Sequence, residues 1–327
     1  MIKDRDGREN QALVFMKFER KDLLGLRDLT KEEIEHILYT AAPMKDVIKR
    51  DIKKVPTLRG KAMVTVFYEP STRTRTSFEI AGKYLSADTV NLTVSTSSVK
   101  KGESLKDTIK TIEVMGFDAM VVRHSMSGTP HYIARNTNMR VINAGDGANE
   151  HPTQALLDMF SILEHKGTLQ GLKVAIVGDI LHSRVARSNI YGLSKFGCEI
   201  RVVGPSTLMP PELEKLGVKT YYHLDEALDG VDVINVLRIQ RERQHTGLFP
   251  SLDEYASLYM ITPERIRNAQ DDVLILHPGP MNRGVEISSE IADSTRAVIN
   301  EQVTNGVAVR MALLFLMMGG SRDEITN

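Results

Sequence analysis

Short runs of β-branched and aromatic residues alternate with segments of helical periodicity in the first half of the chain. Each apolar run has the length of a buried strand, and the segments between them bury one face only. This alternation is typical of βαβ units that form a parallel sheet. The predicted strands are Ala62–Tyr68, Thr89–Val94, Phe117–Val122 and Arg140–Asn143, and the predicted helices between them are Ser77–Leu85, Leu105–Met115 and Tyr132–Asn136.

The same pattern starts again after a predicted helix at Pro152–His165 and a turn at Lys166–Gly167. The fold class predicted from both halves is α/β, with two doubly wound parallel-sheet domains covering residues 1–151 and 152–302. A last helix, residues 303–320, is expected to pack back on the first domain. The second set of predicted strands is Lys173–Val177, Glu199–Val203, Val218–Tyr221, Val231–Leu237 and Val273–Leu276.

Composition limits the classes of partner. The chain has 327 residues and 42% hydrophobic content, enough for a large core divided between two domains. Lys plus Arg equals Asp plus Glu at 42 each, so no long-range attraction to nucleic acid or to an anionic membrane is expected. We therefore predict small-molecule partners, no nucleic acid and no membrane.

Cysteine usage and the chain ends indicate a cytoplasmic protein. Cys198 is the only cysteine, which excludes an internal disulfide framework, and it is expected to be a small buried side chain. The first ten residues are charged and lack the apolar core of a signal peptide. Val307–Met318 is apolar but short and contains Arg310, so a buried helix is predicted there rather than a membrane span. Metal-ligand spacings are absent from the sequence, and neither a metal nor a cofactor is expected.

The most informative segment is Ser71–Thr76, where four hydroxyl and two guanidinium side chains occupy six consecutive positions. It lies between the predicted strand Ala62–Tyr68 and the predicted helix Ser77–Leu85. At a strand-to-helix junction, unpaired backbone N–H groups and the helix dipole favour an anion, and these side chains add charge-assisted donors. The alternative is an N-cap followed by a solvated basic turn. The density of donors favours a phosphate site.

Further polar segments also fall at predicted strand ends or helix starts, which is where doubly wound sheets bind ligands. Arg123 ends a strand and faces either the cleft or a surface carboxylate. His151 precedes a helix, where the dipole favours a neutral imidazole that donates a hydrogen bond, although a lone histidine is more often a structural hydrogen-bonding residue. The segment around Gly178 lacks the G-x-G-x-x-G motif that is typical of dinucleotide-binding proteins. These segments are Ser95–Ser104, Val121–His124, Asn143–Gln154, Val174–Ala186, Leu237–Arg243 and His277–Ile287.

Three motifs resemble the aspartate/ornithine carbamoyltransferases: STRTR at Ser71–Arg75, HPTQ at His151–Gln154 and HPGPMNRGVEI at His277–Ile287. The resemblance extends from about Phe18 to Met318. It implies that the chain transfers the carbamoyl group of carbamoyl phosphate to an amine, in the cleft between two domains and at a subunit interface. No covalent enzyme intermediate and no cofactor are implied.

The segment Leu237–Arg243 indicates the acceptor. Its pattern Arg238-x-Gln240-x-Glu242-Arg243 resembles the aspartate members, and a dianionic acceptor needs Arg where a cationic one needs carboxylates. The implied product is N-carbamoyl-L-aspartate, in the second step of de novo pyrimidine biosynthesis. Ornithine or another amine is the alternative acceptor. A nicotinamide-dependent dehydrogenase and a non-catalytic phosphate-binding protein are the more distant alternatives.

The resemblance also implies roles for individual residues. Ser71, Thr72, Arg73 and Thr74 would hold the phosphate, while Arg123, His151 and Gln154, joined by Thr74, would hold the carbamoyl group. Family members are trimers with shared active sites, and Ser97 and Lys101 would enter from the neighbouring subunit. Lys100 is an alternative to Lys101. The aspartate-binding group would consist of Arg184, Arg238, Gln240, Lys101 and the main-chain carbonyls near Pro278 and Gly279, and the catalytic group of Arg73, Thr74, Lys101, Arg123 and His151. Regulatory chains or a dihydroorotase are additional partners that the sequence leaves open.

Overall fold

A computed structural model of the protein describes residues 18–93, 103–239 and 250–319. Contacts within the chain divide it into two units. The first unit consists of the residues up to Phe160 together with those from Thr304 onward. The second unit is Ser161–Val303. The division passes through two helices, because Pro152–Lys166 and Ile299–Met318 each contribute residues to both units.

The first unit contains a four-stranded parallel sheet in the order β2-β1-β3-β4. Five of the six residues of β1 are buried, as expected for a central strand covered on both faces. The four strands predicted from the sequence are confirmed. The elements are α1 (Lys31–Lys49), β1 (Ala62–Phe67), α2 (Thr72–Tyr84), β2 (Asp88–Thr93), α3 (Leu105–Val114), β3 (Ala119–His124), α4 (Thr129–Arg135), β4 (Arg140–Asp146) and α5 (Pro152–Lys166), with a short 3₁₀ helix at Pro56–Leu58.

The second unit contains a five-stranded parallel sheet in the order β7-β6-β5-β8-β9. The five predicted strands are confirmed, although β8 is shorter than predicted. The elements are β5 (Lys173–Val177), α6 (Arg184–Ser194), β6 (Glu199–Val203), β7 (Lys219–Tyr221), α7 (Leu224–Leu228), β8 (Val233–Val236), α8 (Leu252–Tyr259), β9 (Leu274–Leu276) and α9 (Ser289–Ala292), with 3₁₀ helices at Ser206–Leu208, Leu213–Leu216 and Arg265–Asn268. The last helix, α10 (Ile299–Met318), begins in this unit and from Thr304 onward belongs to the first unit.

Each sheet reverses its strand order at one point, and this position determines where a ligand can bind. In the first sheet the chain moves from β1 outward to β2 and then returns to β3 on the other side of β1. In the second it moves from β5 to β6 and β7 and returns to β8 on the other side of β5. The loops that leave such neighbouring strands diverge and open a crevice at their carboxyl ends. The expected sites are therefore the ends of β1 and β3 in one unit and of β5 and β8 in the other.

The start of α2 differs from the sequence-based prediction. The predicted helix begins at Ser77, but the observed helix begins at Thr72 with Ser71 as N-cap residue. The first turns of the helix are mostly polar, so the sequence shows no apolar periodicity there. In the first half of the helix, only Thr74 and Phe78 are buried. The cluster Ser71–Thr76 thus lies within the first turns of the helix and not in a loop before it. Similarly, α10 begins at Ile299 and not at Val303.

The helix α1 was missed in the sequence, although its signals are present. Thr30 and Glu33 form a reciprocal capping box at its start. Its buried residues Ile34, Ile37, Leu38 and Ala41 have the spacing of one helical face.

Cys198 is half-buried and not fully buried as predicted. Its Sγ lies 3.0 Å from the carbonyl oxygen of Leu169, to which it donates. Burial raises the pKa of the thiol to about 11, so the side chain is neutral at physiological pH. Within the described ranges, the helices include none that is long and apolar enough to cross a membrane.

Candidate active site

The N-terminus of α2 lies just beyond the carboxyl end of β1. Thr72, Arg73 and Thr74 occupy its first three helical positions, where the backbone N–H groups have no partner within the helix. The hydroxyl of Ser71 makes no capping hydrogen bond, and the first turn contains no acidic residue. Arg73 is exposed, whereas Thr74 is buried. Hydroxyls, a guanidinium and backbone amides are therefore presented together, which is the donor set that a phosphate requires.

Arg123 lies at the end of β3, paired with Phe67 at the end of β1, the strand that precedes this helix N-terminus. The pairing of β3 with β4 shifts between Val122 and His124, and such a bulge re-aims a side chain. The Nε of Arg123 lies 3.2 Å from Oε2 of Glu69, which follows β1, and its Nη1 is 3.4 Å from the carbonyl oxygen of Ala144. The sequence left open whether Arg123 faces the cleft or a surface carboxylate. It pairs with a carboxylate, and this carboxylate, Glu69, follows β1 at the switch point of the sheet. Glu69 was missed in the sequence.

A buried polar network shapes the loop between β4 and α5. The carboxylate of Asp146 accepts hydrogen bonds from the Gly128 amide at 2.7 Å, from the Asn143 side chain at 2.8 Å and from the Glu150 amide at 3.2 Å. Glu150 in turn accepts from the backbone N–H of Leu26 at 2.7 Å. Because a carboxylate that accepts several N–H groups holds its donors in place, this network fixes the backbone that leads into His151.

His151 and Gln154 lie at the N-terminus of α5. The backbone carbonyl oxygen of His151 accepts from the backbone N–H of Gln154 at 3.0 Å, and the His151 residue is buried. Gln154 donates from Nε2 to Oδ1 of Asp158 at 2.9 Å, one turn further along the helix. Asp158 is fully buried and was not identified from the sequence. The sequence signal for it is its four-residue spacing from Gln154, within a stretch from Ala155 to Phe160 that is otherwise apolar.

In the second unit, a tight turn after β5 leads to Arg184. Asp179 accepts from the backbone N–H of His182 at 3.0 Å, and its carboxylate also contacts Nδ1 of the His182 ring. Ser183 caps α6 by accepting from the Ala186 amide at 3.1 Å. Arg184 is the first residue of α6 and is 3% exposed. These two local hydrogen-bonding patterns fix the turn that follows the carboxyl end of the central strand β5, and they thereby fix the backbone position of Arg184.

Arg238 follows β8, the strand next to β5. The Leu237 amide donates to the carbonyl oxygen of Val177 at 2.8 Å, which holds the two strand ends together. A Cβ added at Gly178 would lie 3.1 Å from the Cβ of Leu237, so the close approach favours glycine. Arg184 and Arg238 therefore leave neighbouring strands at the switch point of this sheet. Two arginines at this position suit a ligand with carboxylate groups.

The segment after β9 is held by a buried pair, His277 and Glu286. The ring Nδ1 of His277 accepts from the Gly279 amide at 2.9 Å, so Nε2 carries the proton and donates to Glu286 Oε1 at 3.1 Å. Glu286 also accepts from the backbone amide of Asn282 at 2.6 Å. The backbone around Pro278 and Gly279 is fixed in this way beside the end of β8. Glu286 and Asn282 were quoted within a sequence motif but assigned no role.

Three of the residues predicted from the sequence lie outside the described part of the chain. They are Ser97, Lys101 and Gln240, and the same holds for the alternative Lys100. Of the remaining predicted residues, the structure places one group in the first unit and a second in the second unit. The first group is Ser71, Thr72, Arg73, Thr74, Arg123, His151 and Gln154, and the second is Arg184, Arg238, Pro278 and Gly279.

Two family models match the chain. The model described as the carbamoyl-P binding domain of aspartate/ornithine carbamoyltransferase matches residues 21–164. The model described as the Asp/Orn binding domain of the same family matches residues 170–317.

Curated relatives are similar over nearly the whole chain. The aspartate carbamoyltransferase catalytic subunit of Syntrophomonas wolfei is 83% identical over 311 residues, which are 95% of this chain and 100% of the relative. The protein of the same name from Moorella thermoacetica is 67% identical over 306 residues, which are 94% of this chain and 100% of that one.

Solved structures share the fold. Aspartate transcarbamoylase of Trypanosoma cruzi, in complex with carbamoyl phosphate and aspartate, is similar with a TM-score of 0.81 and 30% identity, covering 90% of this chain and 94% of that one. Ornithine carbamoyltransferase of Pyrococcus furiosus also gives a TM-score of 0.81 and 30% identity, over 91% and 97% of the two chains. The fold alone therefore does not separate aspartate from ornithine as acceptor. The chain belongs to the aspartate/ornithine carbamoyltransferase family.

Proposed function

We propose that the protein transfers the carbamoyl group of carbamoyl phosphate to the α-amine of L-aspartate, which gives N-carbamoyl-L-aspartate and phosphate. The observation that carries this proposal is that each unit places arginine side chains at the switch point of its sheet, which suits two anionic substrates. The choice of aspartate is supported by the names of the relatives that are 83% and 67% identical.

Carbamoyl phosphate is assigned to the first unit. Ser71, Thr72, Arg73 and Thr74 would hold the phosphate at the N-terminus of α2, because the backbone amides of that turn are unpaired within the helix. Arg123, His151, Gln154 and the Thr74 hydroxyl would hold the carbamoyl group. In support, Arg123 and the α2 N-terminus leave neighbouring strands, and the Asp146 network fixes the backbone before His151.

The reaction needs no covalent intermediate. The neutral α-amine attacks the carbonyl carbon, the carbonyl oxygen becomes an oxyanion, and the C–O bond to phosphate then breaks. The departing phosphate takes the amine proton. Donors aimed at the developing oxyanion, here Arg123, His151 and Thr74, lower the barrier more than they stabilise the bound substrate.

Aspartate is assigned to the second unit. Arg184 and Arg238 would bind its two carboxylates, together with Gln240, Lys101 and the carbonyl groups near Pro278 and Gly279. An arginine fork matches a carboxylate in shape and charge, whereas a cationic acceptor such as ornithine would be repelled. The proposed reaction requires the α-amine of aspartate to reach the carbonyl carbon of carbamoyl phosphate.

We also propose that the enzyme is a cytoplasmic homotrimer with shared sites, to which Ser97 and Lys101 contribute from the adjoining subunit. This proposal is supported by the family resemblance. Mixing two inactive variants, Lys101→Ala and His151→Ala, tests it. Random mixing of subunits in a ring restores about one quarter of the sites to a fully native set, so about one quarter of wild-type activity should return. Activity that stays at the level of the separate variants would contradict shared sites.

The acceptor is tested by measuring the ureido product with aspartate and with ornithine. We expect turnover with aspartate and none above background with ornithine. The two arginines assigned to the acceptor can pair with the carboxylates of aspartate, but they offer no counter-charge to the cationic side chain of ornithine. Turnover with ornithine only would make the enzyme an ornithine-type member of the family. Binding of carbamoyl phosphate without any product would indicate a non-catalytic binding protein.

A further inference from the structure

A buried carboxylate lies directly behind the candidate carbamoyl site. Asp158 is fully buried, and its Oδ1 lies 2.9 Å from Nε2 of Gln154. Both residues are on α5, four positions apart, so their side chains share one face of the helix. None of the roles implied by the family resemblance includes Asp158.

A buried arginine, Arg310, interacts electrostatically with Asp158. Arg310 donates from Nη1 to the carbonyl oxygen of Gly306 at 2.9 Å and from Nη2 to Thr153 Oγ1 at 3.2 Å, and its guanidinium lies over the Phe78 ring at 5.1 Å. Burial lowers the pKa of Arg310 to about 10, and the negative charge of Asp158 counteracts this decrease. A guanidinium with this pKa is still charged at neutral pH. Because an uncompensated buried cation is very costly, Asp158 is expected to be ionised.

The ionised state of Asp158 determines how the Gln154 amide is turned. A carboxylate can only accept hydrogen bonds, so it must face the NH₂ end of the amide and not the oxygen. The amide of Gln154 therefore keeps its carbonyl oxygen Oε1 on the side away from Asp158. A neutral side chain at position 158 could either donate or accept, and it would impose no such direction.

The direction matters because the arginines and the helix N-terminus of the candidate site offer donors only. The α2 N-terminus, Arg73 and Arg123 all offer N–H groups, which suit the phosphate and the carbonyl oxygen of carbamoyl phosphate. The carbamoyl NH₂ group instead needs an acceptor. Gln154 Oε1 supplies one if the amide is turned in the direction that Asp158 imposes.

We propose that Asp158 is a positioning residue that presents Gln154 Oε1 to the carbamoyl NH₂ group, and that it thereby allows the site to distinguish carbamoyl phosphate from analogues without that group. The inference rests on the proposed function, since it assumes that carbamoyl phosphate binds beside Gln154. Acetyl phosphate is the appropriate probe. It has a methyl group in place of NH₂, is otherwise of the same size and charge, and cannot donate to Gln154.

The experiment compares affinities for carbamoyl phosphate and acetyl phosphate, measured by calorimetry on the full-length enzyme without aspartate. The wild type should prefer carbamoyl phosphate by about ten-fold or more, since a site with a buried acceptor rejects an analogue that lacks the donor. In Asp158→Asn, this ratio should fall towards one, while the affinity for inorganic phosphate stays unchanged. A general loss of structure would weaken all three ligands together and leave the ratio intact.

A charge swap separates orientation from stability. In Gln154→Glu combined with Asp158→Asn, the carboxylate stands at position 154, accepts from the asparagine NH₂ group and still offers an oxygen to the substrate. The buried negative charge near Arg310 is also kept, so this variant should fold even if Asp158→Asn does not. We expect its ratio to return towards the wild-type value, although the carboxylate, now next to the anionic ligand, weakens the binding of both ligands.

The matched control is Asp118→Asn. Asp118 accepts from the backbone N–H of Ala62 at 2.9 Å. It lies at the amino-terminal edge of the first unit's sheet, opposite the edge that carries the candidate site. Its ratio should equal that of the wild type. An unchanged ratio in Asp158→Asn, a ratio near one in the folded swap variant, or an equal loss in Asp118→Asn would overturn the proposal. If the wild type binds no carbamoyl phosphate at all, the proposed function fails first, and the two failures are thus distinguishable.

Discussion

Replacement of His151 by alanine is expected to lower kcat by roughly a hundred- to a thousand-fold, which is the usual effect of removing one donor to a developing oxyanion. Binding of carbamoyl phosphate should be largely kept, because the phosphate is assigned to the N-terminus of α2 and not to His151. The buried position of His151 before α5, on a backbone fixed by Asp146 and Glu150, places the imidazole where it needs no reorganisation during the reaction. Steady-state kinetics with aspartate as acceptor measures both effects.

His165 provides the matched control on the same helix. It lies at the other end of α5, where its Nε2 pairs with Glu301 at 2.8 Å on a partly exposed surface. Because exposed pairs contribute little to stability, His165→Ala should keep wild-type kcat. His151→Asn retains an N–H donor and should recover part of the lost activity. A kcat near the wild-type value in His151→Ala would remove this residue from the mechanism.

Replacement of Arg184 by alanine should act on the other substrate. Loss of one partner of a buried charge pair typically costs about 2–5 kcal/mol, which corresponds to roughly a 30- to several-thousand-fold rise in KM for aspartate. The KM for carbamoyl phosphate should stay unchanged, because Arg184 belongs to the second unit. Initial rates at varied concentrations of each substrate distinguish the two.

Arg187 is the control for this prediction, since it lies one turn along α6 and is only partly buried. Arg187→Ala should leave both KM values near those of the wild type. Arg184→Lys keeps the charge but loses the planar fork, so its KM for aspartate should fall between those of wild type and Arg184→Ala. Equal KM values for aspartate in the Arg184 and Arg187 variants would contradict the assigned role.

The sequence determined the two-sheet architecture and most of the candidate residues. Buried parallel strands are apolar on both faces, so β1, β3 and β5 appear as largely apolar runs that can be recognised without any knowledge of distant segments. The polar segments that end these runs are local features too. Once the sheets are parallel, the carboxyl ends of neighbouring strands must lie at one edge, and this brings the clusters together.

Only the tertiary structure decided the strand order, the start of α2 and the partners behind the site. The residues Ser71–Thr76 are polar and give no apolar periodicity that would predict a helix. The helix forms there because Thr74 and Phe78 pack into the core. Thr153 and Arg310 are 157 positions apart in the chain, and Glu69 meets Arg123 only because β3 returns beside β1. Local propensity carries no information about such contacts, because burial and charge pairing depend on which distant segments share the same core.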